Sequence, residues 1–268
     1  MRMILCFIVG AVMALAQTPA AGKKRILVIG QSKGWQHDST SEGMATIWKL
    51  GKETGLWETY IRTDTQLITK KKLGANAKNL DYFDAVFFYT SGELDLDEEQ
   101  KTSLLDFIRK EGKGFMVAHS GVDTLYQWPE YGELVGGYFD LHPWNQFQAK
   151  LVTEDPAHPA TNHFPKDFFL FDEIYQLKNY SRDRVRVLMR LDTAGVDLKK
   201  QGVHRTDGDF AVSWVRDYGA GRVFVSTLGH TVQAWEHPQV QKMWVEAAKW
   251  VMRITKEGEA APRPKPAN

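Results

Sequence analysis

The sequence GFMVAHSGVD, residues 114–123, carries the clearest fold signal in the chain. Residues 115–118 are uniformly apolar, as expected of a strand that is covered on both faces. A polar turn follows at once, with His119, Ser120 and Asp123 within five positions. This stretch predicts a central parallel strand that delivers polar side chains to one edge of a sheet.

Strand-like and helix-like segments alternate on the N-terminal side of this stretch. Apolar runs at 25–30 and 85–89 predict strands, and residues 57–62 are also strand-like. Ser39 with Glu42 predicts a capping box for a first helix that stops at Gly55, and Asp97 with Gln100 predicts the start of a second. The alternation predicts an α/β fold with a doubly wound, mainly parallel sheet and helices on both faces.

The C-terminal half has a different pattern. Residues 148–152, 184–190, 210–215 and 222–228 are strand-like, and 217–221 predict a hairpin connection between the last two runs. Apolar residues at helical spacing predict a final helix over 239–254. We therefore expect additional β-hairpin strands in this half.

Composition limits the partners. Thirty-four basic residues balance 33 acidic residues, for a formal net charge of +1 in 268 residues. This balance gives no general attraction to nucleic acid or anionic lipid, and neither partner is expected. A homo-oligomer is compatible with the sequence.

The two ends predict processing and disorder. Residues 1–16 have the layout of a secretory signal peptide, and cleavage would also remove Cys6, the one cysteine in the chain. The apolar run is too short for a membrane anchor, so we expect a periplasmic or extracellular mature protein without one. Residues 258–268 contain three prolines among small and charged residues, a composition that predicts a disordered tail.

Titratable residues follow several of the predicted strands. His37 follows the first strand, Glu93 the third, His119 the fourth, and His230 the last. Loops at the carboxyl ends of parallel strands converge, so these groups meet in one crevice if the last strand runs parallel to the others. His142 and Glu173 are candidates for the same crevice.

Several motifs closely resemble those of the ThuA-like, or trehalose-utilisation, family. The most specific is WPEYGELVGGYF at 128–139, with His142-Pro143 and Gln146 after it. The other matching segments are GFMVAHS at 114–120, DPAHP at 155–159, DEIY at 172–175, and GAGRVF at 219–224 with LGH at 228–230. The resemblance covers residues 23–254.

The resemblance implies a flavodoxin-like fold of the class I glutamine amidotransferase superfamily, with a nucleophile elbow after the fourth strand. Glutamine hydrolysis needs a thiolate at that turn, and the mature chain has none, so we do not expect that activity. The family association with trehalose and 3-keto disaccharides implies a carbohydrate substrate.

Three hypotheses for the crevice follow. The first is carbohydrate processing with a divalent metal such as zinc, held by residues among His37, His119, His142, Glu173 and His230. In its metal-free version, His119 and His230 act as general base and acid, oriented by Asp123 or Glu173.

The second hypothesis is a hydrolase with Ser120 as nucleophile, and the third is a sugar-binding module without catalysis. Aromatic residues beside the polar loops could stack on sugar rings: Trp35, Trp128, Tyr131, Trp144 and Trp235. The residues predicted to bind substrate are His37, Glu93, Trp128, Tyr131, His142 and Gln146.

Overall fold

The computed structural model describes residues 22–266. The predicted signal peptide and Cys6 lie outside the described residues. Within the described range, no helix is both long and apolar enough to cross a bilayer.

Nine of the strands form one mixed sheet. Its order is β2-β1-β3-β4-β11-β10-β9-β6-β7, and β5 pairs with β8 in a separate two-stranded sheet. The strands are β1 (Lys24–Ile29), β2 (Trp57–Arg62), β3 (Ala85–Phe88), β4 (Gly114–Ala118), β5 (Tyr138–Leu141), β6 (Gln146–Thr153), β7 (Asp167–Glu173), β8 (Gln176–Lys178), β9 (Arg186–Leu191), β10 (Ala211–Tyr218) and β11 (Gly221–Ser226). The helices are α1 (Thr40–Thr54), α2 (Glu98–Arg109), α3 (Pro129–Val135), α4 (Val232–Glu236) and α5 (Pro238–Val251).

Strands β2, β1, β3, β4 and β11 form the parallel half of the sheet. Every residue of β4 is buried, as its apolar sequence predicts. β11 pairs with β4 in parallel register, with Ser226 opposite Ala118. The loops after these two strands therefore leave the sheet at the same edge, which is the orientation that a shared crevice requires.

Helices cover both faces of the sheet. Buried residues of α1 and α5 contribute to the core on one face, and those of α2 and α3 to the core on the other. The predicted doubly wound, mainly parallel α/β fold is confirmed, as are the additional antiparallel strands of the C-terminal half. β7 was not predicted, because Phe169 and Phe171 on its exposed face hide the usual alternation of apolar and polar residues.

The predicted capping box at Ser39 is wrong. Its hydroxyl makes no capping bond; it lies 2.6 Å from the Tyr89 hydroxyl and contacts the backbone oxygens of Gly229 and His230 at 2.9 and 2.8 Å. Ser39 thus ties the start of α1 to the loop after β11. The predicted start of α2 at Asp97 and Gln100 is confirmed, and these two residues form a capping box there.

The segment after α5 lies against the domain over its described part, residues 258–266. Trp250 Nε1 donates to the Gly258 oxygen at 3.0 Å. The Arg263 side chain donates to the backbone oxygen of Glu154 at 2.8 Å, and the Lys265 side chain to the backbone oxygen of Gly208 at 3.0 Å. Composition predicts disorder for this segment and cannot show the contacts of Arg263 and Lys265, whose partners are 109 and 57 residues away.

Candidate metal centre

The turn after β4 places an imidazole at the carboxyl edge of the sheet. β4 ends at Ala118, and His119 has a φ of 42°, in the left-handed region. A single residue in this strained conformation after a central strand is the geometry of a nucleophile elbow. His119 therefore occupies the position that the second hypothesis assigned to Ser120.

Ser120 lies one residue further along, in the short 3-10 turn that follows. Its side chain is buried, and none of the hydrogen bonds found among residues 22–266 joins its hydroxyl to a histidine. The geometry gives no support to Ser120 as a nucleophile, because the strand ends one residue earlier than that role requires.

Hydrogen bonding fixes the tautomer of His119. Its Nδ1 lies 2.7 Å from the backbone carbonyl oxygen of Thr227. A carbonyl oxygen can only accept, so Nδ1 carries the hydrogen and Nε2 keeps its lone pair. Burial, and then the neighbouring His37, lower the pKa of His119 well below its usual value. A neutral imidazole oriented by a backbone carbonyl is the form in which histidine binds metals.

Other donor atoms converge on His119 Nε2. His230 Nδ1 is 3.2 Å away and Glu173 Oε2 is 3.7 Å away, while Glu173 Oε2 and His230 Nδ1 are 3.1 Å apart. Ligand atoms of a tetrahedral zinc site lie roughly 3.3 Å apart, given metal–ligand bonds of about 2.0–2.1 Å. One ligand atom from each of His37, His119, Glu173 and His230 lies within 4.8 Å of the others. We call these four residues the histidine–glutamate cluster.

Opposing effects set the charges of the two outer imidazoles. Burial, and then His230, lower the pKa of His37 to about 4. Burial alone would lower the pKa of His230, but the hydrogen bond and charge of Glu173 raise it above its usual value. The cluster therefore balances a carboxylate against one histidine that favours its protonated form.

Asp172 fixes the loop that carries His230. Its buried carboxylate accepts hydrogen bonds from the backbone N–H groups of Gly229 at 2.7 Å and Thr231 at 3.1 Å. Burial raises the pKa of Asp172 to about 7, against the opposing effect of these bonds. Because Glu173 is the next residue, one strand end both supplies a cluster side chain and positions a second.

A cavity of about 640 Å³ opens above the cluster. Trp35, Phe139 and Tyr175 supply aromatic rings to its wall, and Trp35 is 71% exposed there. The lining residues are Trp35, His37, Asp123, Phe139, His142, Asn145, Gln146, Glu173, Tyr175 and His230.

Several of the predicted residues line the cavity, but not all of them have the predicted roles. His142 and Gln146 line it, and His142 Nδ1 is 3.4 Å from Glu173 Oε1, although His142 is not part of the cluster. Asp123 also lines the cavity, but it accepts a hydrogen bond from the Tyr126 hydroxyl at 2.6 Å instead of orienting His119.

Three residues predicted to bind substrate lie elsewhere. Trp128 and Tyr131 are buried in the core, where the Tyr131 hydroxyl donates to the Gly121 oxygen at 2.6 Å. Glu93 accepts a hydrogen bond from the Gln127 backbone at 3.1 Å and does not line the cavity. Trp128 and Tyr131 pack because α3 turns its aromatic face to the sheet.

Sequence reasoning missed two residues of the site, Asp172 and Tyr175. The Tyr175 hydroxyl lies 2.7 Å from His119 Nε2, and the side chain lines the cavity. Both belong to the motif DEIY that carried the family resemblance. The motif pointed to these residues but did not indicate what their side chains do.

The fold and site together define an α/β protein with a left-handed turn after its central strand and an imidazole at the tip of that turn. The chain matches the family described as "ThuA: Trehalose utilisation" over residues 25–251 and belongs to that family.

Several solved structures share the fold of this chain. A ThuA-like protein from Bacteroides uniformis is 19% identical, with a TM-score of 0.71 over 89% of this chain and 95% of its own. One from Parabacteroides merdae is 15% identical, with a TM-score of 0.67 over 90% and 98%. PurLQS from Thermotoga maritima is 15% identical, with a TM-score of 0.50 over 85% and 99%. At these identities the likeness shows the fold alone. The comparison with curated proteins found no significant match.

Proposed function

We propose that this protein is an exported, metal-dependent enzyme that processes a disaccharide or keto-sugar. The observation that carries the proposal is the convergence of three imidazoles and one carboxylate at the base of an aromatic-walled cavity. The family description, trehalose utilisation, supports the substrate class.

The donor set fits a divalent cation such as zinc. Imidazole and carboxylate are common zinc ligands, and the separations of 3.1, 3.2 and 3.7 Å among His119, Glu173 and His230 are close to those of a tetrahedral site. When bound, such a cation would polarise a keto oxygen or activate a water molecule. His119, His230 and Glu173 would hold it, which leaves the fourth position open to water or substrate, with His37 beside it.

The burial of His119 favours the metal over the metal-free version. His119 is fully buried and does not line the cavity, so a substrate cannot reach its Nε2 directly. A general base must come within hydrogen-bond distance of the proton that it removes. As a metal ligand, His119 acts without touching the substrate.

Asp123 is our candidate for proton donation. It lines the cavity, and burial raises the pKa of its carboxyl group. A carboxylic acid that keeps its proton to higher pH suits the protonation of a leaving oxygen. The Tyr126 hydroxyl, bonded to Asp123 Oδ1, fixes the direction of that carboxyl group.

Zinc is expected to stabilise the chelator-stripped protein, because a ligand that binds only the folded state shifts the unfolding equilibrium. At a hundred times Kd the gain is about 2.7 kcal/mol, which corresponds to a rise in Tm of roughly 5–10 °C for a domain of this size. Differential scanning calorimetry with and without zinc measures the shift, and elemental analysis should give one zinc per chain. An unchanged Tm, together with turnover that chelator does not reduce, would support the metal-free version.

Trp35 is expected to bind a sugar ring. Its exposed indole stands on the cavity wall, and aromatic stacking plus the buried ring area contribute enough that Trp35→Ala should weaken disaccharide binding about tenfold. Trp48→Ala is the matched control, because Trp48 is 47% exposed on α1 and does not line the cavity. Calorimetric titration with trehalose and a 3-keto disaccharide gives both affinities.

Equal affinity in both tryptophan variants and the unaltered chain would contradict the stacking role. Binding without any product after long incubation of the zinc-loaded protein would contradict catalysis and favour the sugar-binding module.

A further inference from the structure

Tyr175 is held rigidly beside the histidine–glutamate cluster. Its ring is 2% exposed and lies between the rings of His119 and Phe139, with centroid distances of 4.4 and 4.5 Å. Its hydroxyl is 2.7 Å from His119 Nε2. The ring cannot swing away without breaking this packing, so the hydroxyl stays next to the cluster.

The direction of that hydrogen bond follows from the tautomer of His119. Nδ1 donates to the Thr227 oxygen, so Nε2 can only accept, and the Tyr175 hydroxyl donates to it. A cation bound at Nε2 would use the same lone pair at about 2.0–2.1 Å, and would push the hydroxyl off that line by a small shift within its packing. The hydroxyl would then lose its acceptor and need another within reach of an almost fixed ring.

We propose, building on the metal-dependent function above, that Tyr175 donates a hydrogen bond to an oxygen bound at the metal's non-protein position. In this structure the Tyr175 hydroxyl donates to His119 Nε2; with a metal held there, the hydroxyl would be free to donate to the substrate oxygen. Tyr175 is thereby a catalytic residue that polarises the same oxygen as the cation.

The test uses the full mature chain loaded with Co²⁺, whose visible absorption reports the ligands of the ion, and acetate as a simple oxygen ligand. Tyr175→Phe removes the hydroxyl and keeps the ring. A hydrogen bond to a charged oxygen is a strong one, so the acetate affinity of Y175F should be at least about tenfold lower than that of the unaltered chain. Co²⁺ affinity should change by less than about threefold, since the proposal leaves the ligands unaltered. Tyr131→Phe, which removes a buried hydroxyl bonded to the Gly121 oxygen, should change neither affinity.

Each alternative has its own result. Equal acetate affinity in Y175F and the unaltered chain overturns the proposal. Loss of Co²⁺ affinity in Y175F overturns it in another way, because the phenol oxygen would then be a ligand. If the unaltered chain binds no Co²⁺ or Zn²⁺, the metal-dependent function itself fails, and the inference fails with it.

Discussion

His119→Ala is expected to lower zinc affinity by more than about a hundredfold. His119 supplies the Nε2 on which the cluster converges, and its tautomer is fixed by the Thr227 oxygen. Changes to groups that merely orient a ligand typically reduce metal affinity 10–100-fold, so the loss of a ligand should exceed that range. Competition with a chromophoric chelator measures the affinity.

Two further variants keep this result interpretable. His230→Ala tests the same cluster at a more exposed position, in case the buried His119→Ala protein folds poorly. His204→Ala is the matched control, because His204 is exposed and pairs with Asp140 outside the cluster. If all three variants bind zinc as tightly as the unaltered chain, the metal centre is wrongly placed.

Asp172→Ala is expected to lower the free energy of unfolding by about 3–5 kcal/mol. The change leaves two buried N–H groups, of Gly229 and Thr231, without their acceptor, and each such loss costs about 1–3 kcal/mol. Removal of the side chain also leaves a small cavity. Zinc affinity should fall as well, because the loop that carries His230 loses its anchor. Urea denaturation, followed by zinc titration of the folded protein, measures both effects.

Asp167→Ala is the control on the same strand. Asp167 is exposed, lies 3.4 Å from Lys150, and should contribute less than about 0.5 kcal/mol. Equal stability of the Asp172 and Asp167 variants would contradict the role given to Asp172.

The parallel half of the fold was predictable because each element carries its own local signal. β4 is apolar throughout, and the capping box of Asp97 and Gln100 depends only on residues three positions apart. The Ser39 capping box fails because Ser39 has better partners almost two hundred residues away, at Gly229 and His230. A local sequence pattern contains no information on contacts with residues that are distant in the chain.

The site was predictable in its histidines but not in their roles. Their positions after the strands brought His37, His119 and His230 together with Glu173, since β11 runs parallel to β4. The choice between His119 and Ser120 at the elbow depends on the residue at which β4 ends.

The aromatic predictions failed for a related reason. Trp128, Tyr131 and Trp35 are all aromatic residues beside polar loops in the sequence. Their packing in the fold decides that the first two are buried and the third is exposed. Tyr175 lies in the motif DEIY, but its role could not be predicted, because that role depends on an imidazole 56 residues away.

Diffraction from a zinc-soaked crystal at the zinc absorption edge tests the metal centre most directly. We expect a strong anomalous peak bonded to His119 Nε2, His230 Nδ1 and a Glu173 oxygen at about 2.0–2.2 Å. Peaks only at surface groups such as His204 and Asp140, with none among these three side chains, would contradict it.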